Sequence, residues 1–248
     1  MSKSSLGDQY RRQFLGKLGI GIAATALAPG LHLISVAQAK PDAEAVDDSV
    51  RWGLMIDTTK CSNGCTACVD GCNSENGLEG FDRPATDAQW IRKVELKEKL
   101  TGKESSLPMM CQHCEHPPCV DVCPTGASFK REDGVVLVNK HTCIGCRYCM
   151  MACPYKARSF VHEDLHNQRA WAPRGKGTVE ACTFCTHRID RDGQPACVEA
   201  CDKAGHGALV FGNLNDPESE ISRRARSVSS RQLRADLNLN TAVRYEGF

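Results

Sequence analysis

The cysteines limit most strongly how this chain of 248 residues can fold, because there are sixteen of them and they fall into four groups of four. Each group ends in a Cys-x3-Cys pair, and no cysteine lies outside the groups. Leu, Ile, Val and Phe make up only about a fifth of the residues, a level at which apolar side chains alone hardly sustain a core. Disulfides, zinc or iron–sulfur clusters must therefore supply part of the stability. The groups are Cys61, Cys65, Cys68, Cys72; Cys111, Cys114, Cys119, Cys123; Cys143, Cys146, Cys149, Cys153; and Cys182, Cys185, Cys197, Cys201.

The third group has the spacing Cys-x2-Cys-x2-Cys-x3-Cys-Pro that is typical of bacterial ferredoxins. In that run, three close thiolates hold one 4Fe-4S cube and the fourth cysteine ligates the other cube of a pair. Zinc is one alternative, but structural zinc sites usually take cysteines as two separated pairs. A disulfide framework is another, although four repeats ending in Cys-x3-Cys are not expected of one. The spacing therefore favours iron–sulfur clusters.

The order of the groups predicts an α+β fold made of two nested ferredoxin-like units with insertions. The inner unit covers residues 111–153, and the outer unit combines residues 50–72 with residues 182–215. Within the inner unit, the Asp133-Gly134 turn between short apolar stretches predicts a β-hairpin. Residues 40–215 thus form one predicted four-cluster domain.

Three further stretches of the predicted domain have the residue pattern of strands. Pairing residues 52–57 with residues 208–211 in antiparallel fashion would close the outer unit. Residues 90–96 predict a strand in the first insertion, and within the second insertion, residues 155–181, the stretches 171–173 and 175–177 predict a loop. Residues 216–248 are polar and rich in arginine, which predicts a C-terminal arm that is either solvated or laid on a partner subunit.

Residues 1–39 have the pattern of an export signal. Arg11 and Arg12 precede an apolar stretch from residue 18 to residue 36, and an Ala-x-Ala cleavage site ends at Ala39. The arginine pair resembles the twin-arginine signal, whose substrates take up cofactors before they cross the membrane. Cleavage after Ala39 would release a periplasmic protein. The alternative is that the apolar stretch is retained as a membrane anchor.

Other chemistry is weakly represented. With 31 basic and 30 acidic residues, the chain lacks the basic excess of a nucleic-acid-binding protein. It also has no glycine-rich nucleotide loop or nucleophile elbow, so we expect no substrate site. His113 and His116, beside Cys114, are expected to donate hydrogen bonds around a cluster. Cations that could raise cluster potentials are Arg147, Lys156, Arg158 and Arg188.

Four motifs resemble those of the four-cluster ferredoxin-type subunits of respiratory oxidoreductases. That family includes the electron-transfer subunits of dimethyl sulfoxide, polysulfide and tetrathionate reductases. Within it, the export signal and residues 155–162 and 243–245 look most like the periplasmic iron–sulfur subunits of Dsr membrane complexes of sulfur metabolism. The motifs are Asp57-Thr58-Thr59-Lys60-Cys61, Cys111-Gln112-His113-Cys114-Glu115-His116-Pro117-Pro118-Cys119, Cys143-Ile144-Gly145-Cys146-Arg147-Tyr148-Cys149 and Cys182-Thr183-Phe184-Cys185.

The resemblance implies four 4Fe-4S clusters, with each group giving three ligands to one cluster and its last cysteine to the paired cluster. The Cys-x3-Cys opening at Cys61 departs from the family's Cys-x2-Cys, so a 3Fe-4S or atypical cluster is an alternative there. The implied ligand sets are Cys61, Cys65, Cys68 with Cys201; Cys182, Cys185, Cys197 with Cys72; Cys111, Cys114, Cys119 with Cys153; and Cys143, Cys146, Cys149 with Cys123.

The resemblance also implies a function. The expected role is a periplasmic relay of single electrons that is membrane-associated through its partners and has no catalytic site of its own. The implied partners are a quinone-reactive polytopic membrane subunit of the NrfD type and a cytochrome c or catalytic redox subunit. The alternative role is that of the electron-transfer subunit of an exported molybdopterin oxidoreductase.

Overall fold

The computed structural model of the chain describes residues 46, 48–102, 104–166 and 168–247, so the export signal predicted for residues 1–39 lies outside the described part. Short strands and short helices alternate through these residues, in agreement with the predicted α+β class. No helix among the described residues is both long enough and apolar enough to cross a membrane.

The largest sheet has four strands and is built around β1, Trp52–Asp57. Strand β8, Leu209–Asn213, pairs with β1 in antiparallel fashion, which confirms the predicted pairing of the two ends of the cysteine-containing region. Leu54, Met55 and Ile56 are completely buried, because both faces of this central strand are covered. The sheet therefore joins segments that lie before the first and after the last cysteine.

The C-terminal segment completes the same sheet. Strand β10, Val243–Glu246, runs parallel to β1, and β9, Ser230–Arg231, pairs with β10. Helix α6, Glu220–Ser227, packs Ile221 against Met55 on one face of the sheet. The expectation of a solvated tail for residues 216–248 is therefore wrong, because apolar side chains of this segment are buried within the chain's own domain, and the alternative of an arm laid on a partner subunit stays a prediction.

Ion pairs and backbone hydrogen bonds hold this segment in place. Arg224, on α6, donates from Nη2 to Asp57 Oδ2 at 2.7 Å and from Nε to Glu246 Oε2 at 3.0 Å. The backbone N–H of Glu115 donates to the carbonyl oxygen of Leu239 at 3.0 Å, which lays the segment over the second cysteine loop. The arginine-rich composition thus reflects internal ion pairing as well as surface charge.

The predicted inner hairpin is confirmed. Strands β4, Ser128–Lys130, and β5, Val136–Val138, pair in antiparallel fashion, and Gly134 has the left-handed φ of 84° that the turn requires. Arg131 lies at this turn and pairs with Asp190 at 2.6 Å as well as with Asp133 at 2.8 Å. The hairpin is therefore tied directly to the region of the fourth cysteine group.

The first insertion forms a second hairpin. Strand β2, Ile91–Lys97, confirms the strand predicted at 90–96, and it pairs along its whole length with β3, Glu104–Met110. Sequence analysis did not predict β3, because its serines and Pro108 obscure the strand pattern. The pair places Leu107 and Met110 in the buried core.

The second insertion, residues 155–181, contains the predicted loop and a short strand pair. Strands β6, Ser159–Phe160, and β7, Val179–Glu180, form a two-residue antiparallel pair. Arg174 pairs with Glu180 at 2.8 Å, and both residues are buried. The loop predicted at residues 171–173 and 175–177 is confirmed, and the short strand pair on either side of it was not predicted.

Both cysteines of the Cys-x3-Cys pair lie in one helix in the first and fourth groups, whereas in the second and third groups a short helix ends before the last cysteine. The Cys-x3-Cys spacing places two residues four apart, which puts them on one face where the helix continues. A Cβ on Gly71 would lie 2.6 Å from the Ala200 Cβ, so only glycine permits the close packing between the first and the last cysteine-bearing helix. The helices are α1, Ala67–Asn76; α2, Pro118–Asp121; α3, Tyr148–Ala152; α4, Thr186–Ile189; and α5, Ala196–Lys203.

Substitution in β10 tests whether the C-terminal segment stabilises the domain. Val243→Ala should lower the free energy of unfolding by about 2 kcal/mol, because it deletes buried apolar groups and leaves a cavity. Arg244→Ala, on the more exposed face of the strand, should stay within about 0.5 kcal/mol of the parent. Thermal melts of the two variants compare them, and equal stabilities would show that the segment does not belong to the folded core.

Candidate metal centres

All sixteen cysteines are free thiols, and most of them are buried. Cys146 is exposed, and four others are half-buried. The half-buried cysteines are Cys61, Cys65, Cys123 and Cys143. A disulfide framework is thus absent from the described residues. The burial of so many thiol groups indicates that they bind something.

Set A consists of Cys61, Cys65, Cys68 and Cys201. Burial raises the pKa of Cys68 to about 11, Lys93 lowers it, and the other three sulfurs of the set raise it further. Burial also raises the pKa of Cys61, and the nearby sulfurs of Cys201 and Cys65 raise it further. Mutual effects of this kind require short separations, so cysteines from the first and fourth sequence groups lie together.

Set B consists of Cys72, Cys182, Cys185 and Cys197. Burial raises the pKa of Cys182 well above its usual value, and the other three sulfurs of the set contribute. Cys197 shows the same direction of pKa change, caused first by burial and then by Cys72 and Cys185. Sets A and B therefore exchange cysteines, since Cys72 comes from the first sequence group.

Set C consists of Cys111, Cys114, Cys119 and Cys153. Burial raises the pKa of Cys114, and the other three sulfurs of the set raise it further. Burial raises the pKa of Cys111 to about 12, Arg158 lowers it, and Cys119 and Cys153 raise it. Three cysteines of the second group thus lie with the last cysteine of the third.

Set D consists of Cys123, Cys143, Cys149 and, on the same loop, the exposed Cys146. Burial raises the pKa of Cys149, Arg158 lowers it, and Cys143 and Cys123 raise it. In every set, three cysteines come from one sequence group and the fourth comes from another.

Backbone geometry aims donors at the sulfurs. Backbone N–H groups of Ser128, Ala208 and Phe184 donate to Sγ of Cys123, Cys201 and Cys182 at 3.3, 3.4 and 3.5 Å. Left-handed residues in all four cysteine loops turn the chain: Gly64, His113, Gly145 and Phe184. Such donors favour the thiolate over the thiol, as metal ligation requires.

The sulfur sets fit clusters better than single ions. Among the described residues, no three His, Cys, Asp or Glu side chains lie close enough to hold one metal ion, which disfavours the zinc alternative. A cube spaces its four thiolates more widely than one ion does, because each binds a different iron. Since burial raises the pKa of thiols in every set, thiolates at these positions require a positive metal core beside them.

Known families and relatives share these features. Two 4Fe-4S dicluster domain families match residues 103–213 and residues 60–127. The Hdr-like menaquinol oxidoreductase iron-sulfur subunit 1 of Archaeoglobus fulgidus is 42% identical, over 95% of this chain and 97% of the relative. The chain belongs to the 4Fe-4S dicluster ferredoxin family. Two other relatives are a tetrathionate reductase subunit of Salmonella typhimurium, with 37% identity over 87% of this chain and 78% of the relative, and Protein NrfC of Escherichia coli, with 41% identity over 86% and 84%.

The family defines the role of this ferredoxin-type subunit. Both matched families are dicluster ferredoxin domains, and the relatives include iron–sulfur subunits of oxidoreductases. The chain is therefore an electron-transfer subunit of a respiratory oxidoreductase complex and not a stand-alone enzyme. Two dicluster domains and sixteen cysteines fit four 4Fe-4S clusters. The two matches overlap at residues 103–127, so they do not divide the subunit into an inner and an outer unit.

The histidines of the second loop differ from the expectation for the ferredoxin-type subunit. His113 is buried, and burial together with Arg158 lowers its pKa to about 3, so the ring is neutral. Its Nδ1 accepts a hydrogen bond from the backbone N–H of Val136 at 3.0 Å, and its ring stacks on Phe184 with centroids 3.7 Å apart. His116 is exposed. The hydrogen bond of His113 thus positions strand β5 and does not reach a cysteine sulfur.

The four cations singled out from the sequence are placed differently. Arg158 is buried and donates from Nη2 to Cys119 Sγ at 3.0 Å. Arg188 instead pairs with Glu75 and Glu199, each at 3.2 Å. Arg147 lies over the Phe160 ring and Lys156 is exposed. Of these four side chains, only that of Arg158 donates a hydrogen bond to the sulfur of a candidate ligand.

Sequence analysis missed two side chains of the site. Asn76 donates from Nδ2 to the carbonyl oxygen of Cys72 at 2.9 Å and to its Sγ at 3.7 Å. Phe184 is buried between Cys182 and Cys185 in the chain and stacks on His113. Neither residue has a distinctive spacing, although Phe184 lies inside a two-residue spacer where an aromatic side chain is unusually large.

Elemental analysis tests the cluster content. The subunit, purified anaerobically within its complex, should contain about sixteen iron and about sixteen sulfide per chain, because four cubes each need four of both. Iron and acid-labile sulfide assays measure this. Stoichiometric zinc with little iron would contradict the assignment, and a 3Fe-4S signal would place an atypical cluster at the Cys61 loop.

Proposed function

We propose that the chain is an exported four-cluster relay in which sets A to D each bind one 4Fe-4S cluster. Each set supplies four sulfurs, which is the number that a cube needs. Bound clusters would supply one-electron redox chemistry. The chain itself supplies the ligands, excludes water and spaces the clusters.

The main observation behind this proposal is that the cysteines of the four sets differ in how deeply they are buried. All eight cysteines of sets B and C are buried. Set A keeps Cys61 and Cys65 half-buried, and set D reaches the surface at Cys146. Electrons must enter and leave a relay where partners can approach, so sets A and D suit its two ends and sets B and C suit its middle.

Contacts between the sets support the linear order A–B–C–D. Cys68 of set A contributes to the raised pKa of Cys197 of set B, after burial and the nearer sulfurs. The His113–Phe184 stack joins the loops of sets C and B. Cys149 of set D contributes to the raised pKa of Cys119 of set C. Neighbouring sets therefore lie close together, as the mutual effects of their sulfurs indicate for A–B and C–D and the ring stack indicates for B–C.

The same sets support the nested arrangement of two ferredoxin-like units. Sets A and B exchange Cys72 and Cys201, and sets C and D exchange Cys123 and Cys153. Each pair thus repeats the exchange of fourth ligands that is known for two-cluster ferredoxins. We take the outer unit to be sets A and B, and the inner unit to be sets C and D.

The proposed setting is the periplasmic face of a membrane. The twin-arginine pattern at residues 1–39 supports export, and the name of the A. fulgidus relative, an iron-sulfur subunit of a menaquinol oxidoreductase, supports a quinone-linked complex. The proposed partners are a polytopic quinone-reactive membrane subunit of the NrfD type and a cytochrome c. The resemblance to Dsr subunits supports a role for this complex in sulfur metabolism.

A second candidate is the electron-transfer subunit of an exported molybdopterin oxidoreductase. It is supported by relatives whose names include tetrathionate reductase and, in Shewanella, arsenate respiratory reductase. The two candidates differ in the catalytic partner. Stoichiometric molybdenum in the complex purified through this subunit would favour the second.

Ligand exchange between groups is testable by substitution. If the sets are ligand sets, Cys72→Ser and Cys185→Ser should perturb the same EPR centre, although they lie in different sequence groups. Cys65→Ser should perturb a different centre from Cys72→Ser, although both belong to the first group. Redox titration followed by EPR resolves the centres, and iron analysis of each variant identifies any that fail to assemble.

The matched test in the inner unit uses Cys153→Ser and Cys114→Ser, which should perturb one shared centre, while Cys149→Ser perturbs another. If instead Cys72→Ser and Cys65→Ser alter the same centre, each sequence group binds its own cluster and the nested arrangement is wrong.

Export is testable at the arginine pair. Replacing Arg11 and Arg12 with lysine should strand the loaded protein in the cytoplasm, because the export receptor reads the guanidinium pair and not charge alone. Cell fractionation followed by immunoblotting measures this, with Lys3→Arg as a control that should export normally. Periplasmic accumulation of the double variant at the parent level would refute the twin-arginine route.

A further inference from the structure

Arg158 is a buried cation without a carboxylate partner among the described residues. Its residue is 6% exposed, and Nη2 donates to Cys119 Sγ at 3.0 Å. The other terminal nitrogen, Nη1, is buried and has no hydrogen-bond partner in the described part of the chain. An isolated buried charge strongly destabilises a fold, so a counter-charge must lie beside it.

The neighbours of Arg158 belong to two different sets. Cys119 lies in set C and belongs to the same buried cluster as Cys149 of set D, so Arg158 also lies near Cys149 and lowers its pKa. Neutral thiols would leave the guanidinium uncompensated. A cube with four thiolates carries about two negative charges when oxidised and about three when reduced, so clusters in both sets would supply the missing counter-charge.

Other arginines have their charge compensated elsewhere. Arg174 is as deeply buried as Arg158 but pairs with Glu180 at 2.8 Å. Arg147, beside Cys146 in the chain, is exposed and lies over the Phe160 ring. Water screens Arg147, whereas the interior around Arg158 screens its charge only weakly.

We propose that Arg158 bridges the two inner clusters and raises both of their reduction potentials together. This inference rests on the proposed assignment of Cys119 to the set C cluster and Cys149 to the set D cluster. Each cluster gains one negative charge when it accepts one electron from its neighbour or from the donor of the complex. The guanidinium stabilises each reduced form, because net charge and hydrogen bonds to sulfur set cluster potentials.

The decisive measurement is a redox titration of the assembled complex, followed by EPR, with Arg158→Gln in the subunit. Two centres should each lose at least about tenfold in their equilibrium constant for reduction, which is ~59 mV for a one-electron couple. They should be the centres that Cys119→Ser and Cys149→Ser perturb separately. The two centres of the outer unit should keep their potentials.

Arg147→Gln is the matched control, since it removes the same charge next to set D at an exposed position. It should shift the set D centre by less than half as much and leave the set C centre unchanged. Arg158→Lys retains the charge but not the planar fork, so at least one of the two inner potentials should fall, by less than in Arg158→Gln.

The outcomes separate this inference from the ligand assignment. If Cys119→Ser and Cys149→Ser perturb one shared centre, the assignment itself fails. If they perturb two centres and Arg158→Gln shifts one or neither, the assignment stands and the role of Arg158 is refuted. If the Arg158→Gln variant loses iron, the Arg158→Lys variant is titrated instead. Unchanged reduction potentials of both inner clusters in an Arg158→Lys variant with full iron content would refute the proposal.

Discussion

Four sulfurs have to converge on each cluster from distant parts of the chain, and the rest of the fold follows from this requirement. Burial raises the pKa of at least one thiol in each of the four sets, so these sulfurs become stable thiolates only beside positively charged iron. Short helices, left-handed loop residues and backbone donors all serve this convergence. A chain so short of aliphatic residues is thereby held together around inorganic cores.

The charge balance of the interior follows from the same requirement. Arg174 and Glu180 form a buried ion pair, and Arg174 also donates from Nη1 to the carbonyl oxygen of Gly77 at 2.8 Å. That contact ties the second insertion to the end of α1. Arg158 has no such carboxylate among the described residues, and its neighbours are candidate cluster ligands. Two buried arginines of the described interior thus differ in their partners. Arg174 binds a carboxylate and a backbone carbonyl oxygen, whereas Arg158 lies beside the proposed redox centres.

The sheet around β1 determines which cysteine groups can meet. Because β1 precedes the first group and β8 follows the fourth, their pairing brings these two groups together. Strand β10 then covers the other edge of β1, and Arg224 pairs with Asp57 and Glu246 at the end of the sheet. The C-terminal segment therefore stabilises the sheet around β1, and its backbone also accepts a hydrogen bond from Glu115 in the second cysteine loop.

The sequence by itself determined the cofactor class, the candidate ligands, the α+β class and the strands that flank the cysteine groups, because ligand spacing and strand patterns are local properties. Only the tertiary structure decided that residues 216–248 belong to the sheet, since burial of Ile221 and Val243 depends on the partner surface and not on local composition. The same holds for Phe184 and Arg158. Their spacing in the sequence is ordinary, and their importance arises from contacts with residues about 70 and 40 positions away in the chain.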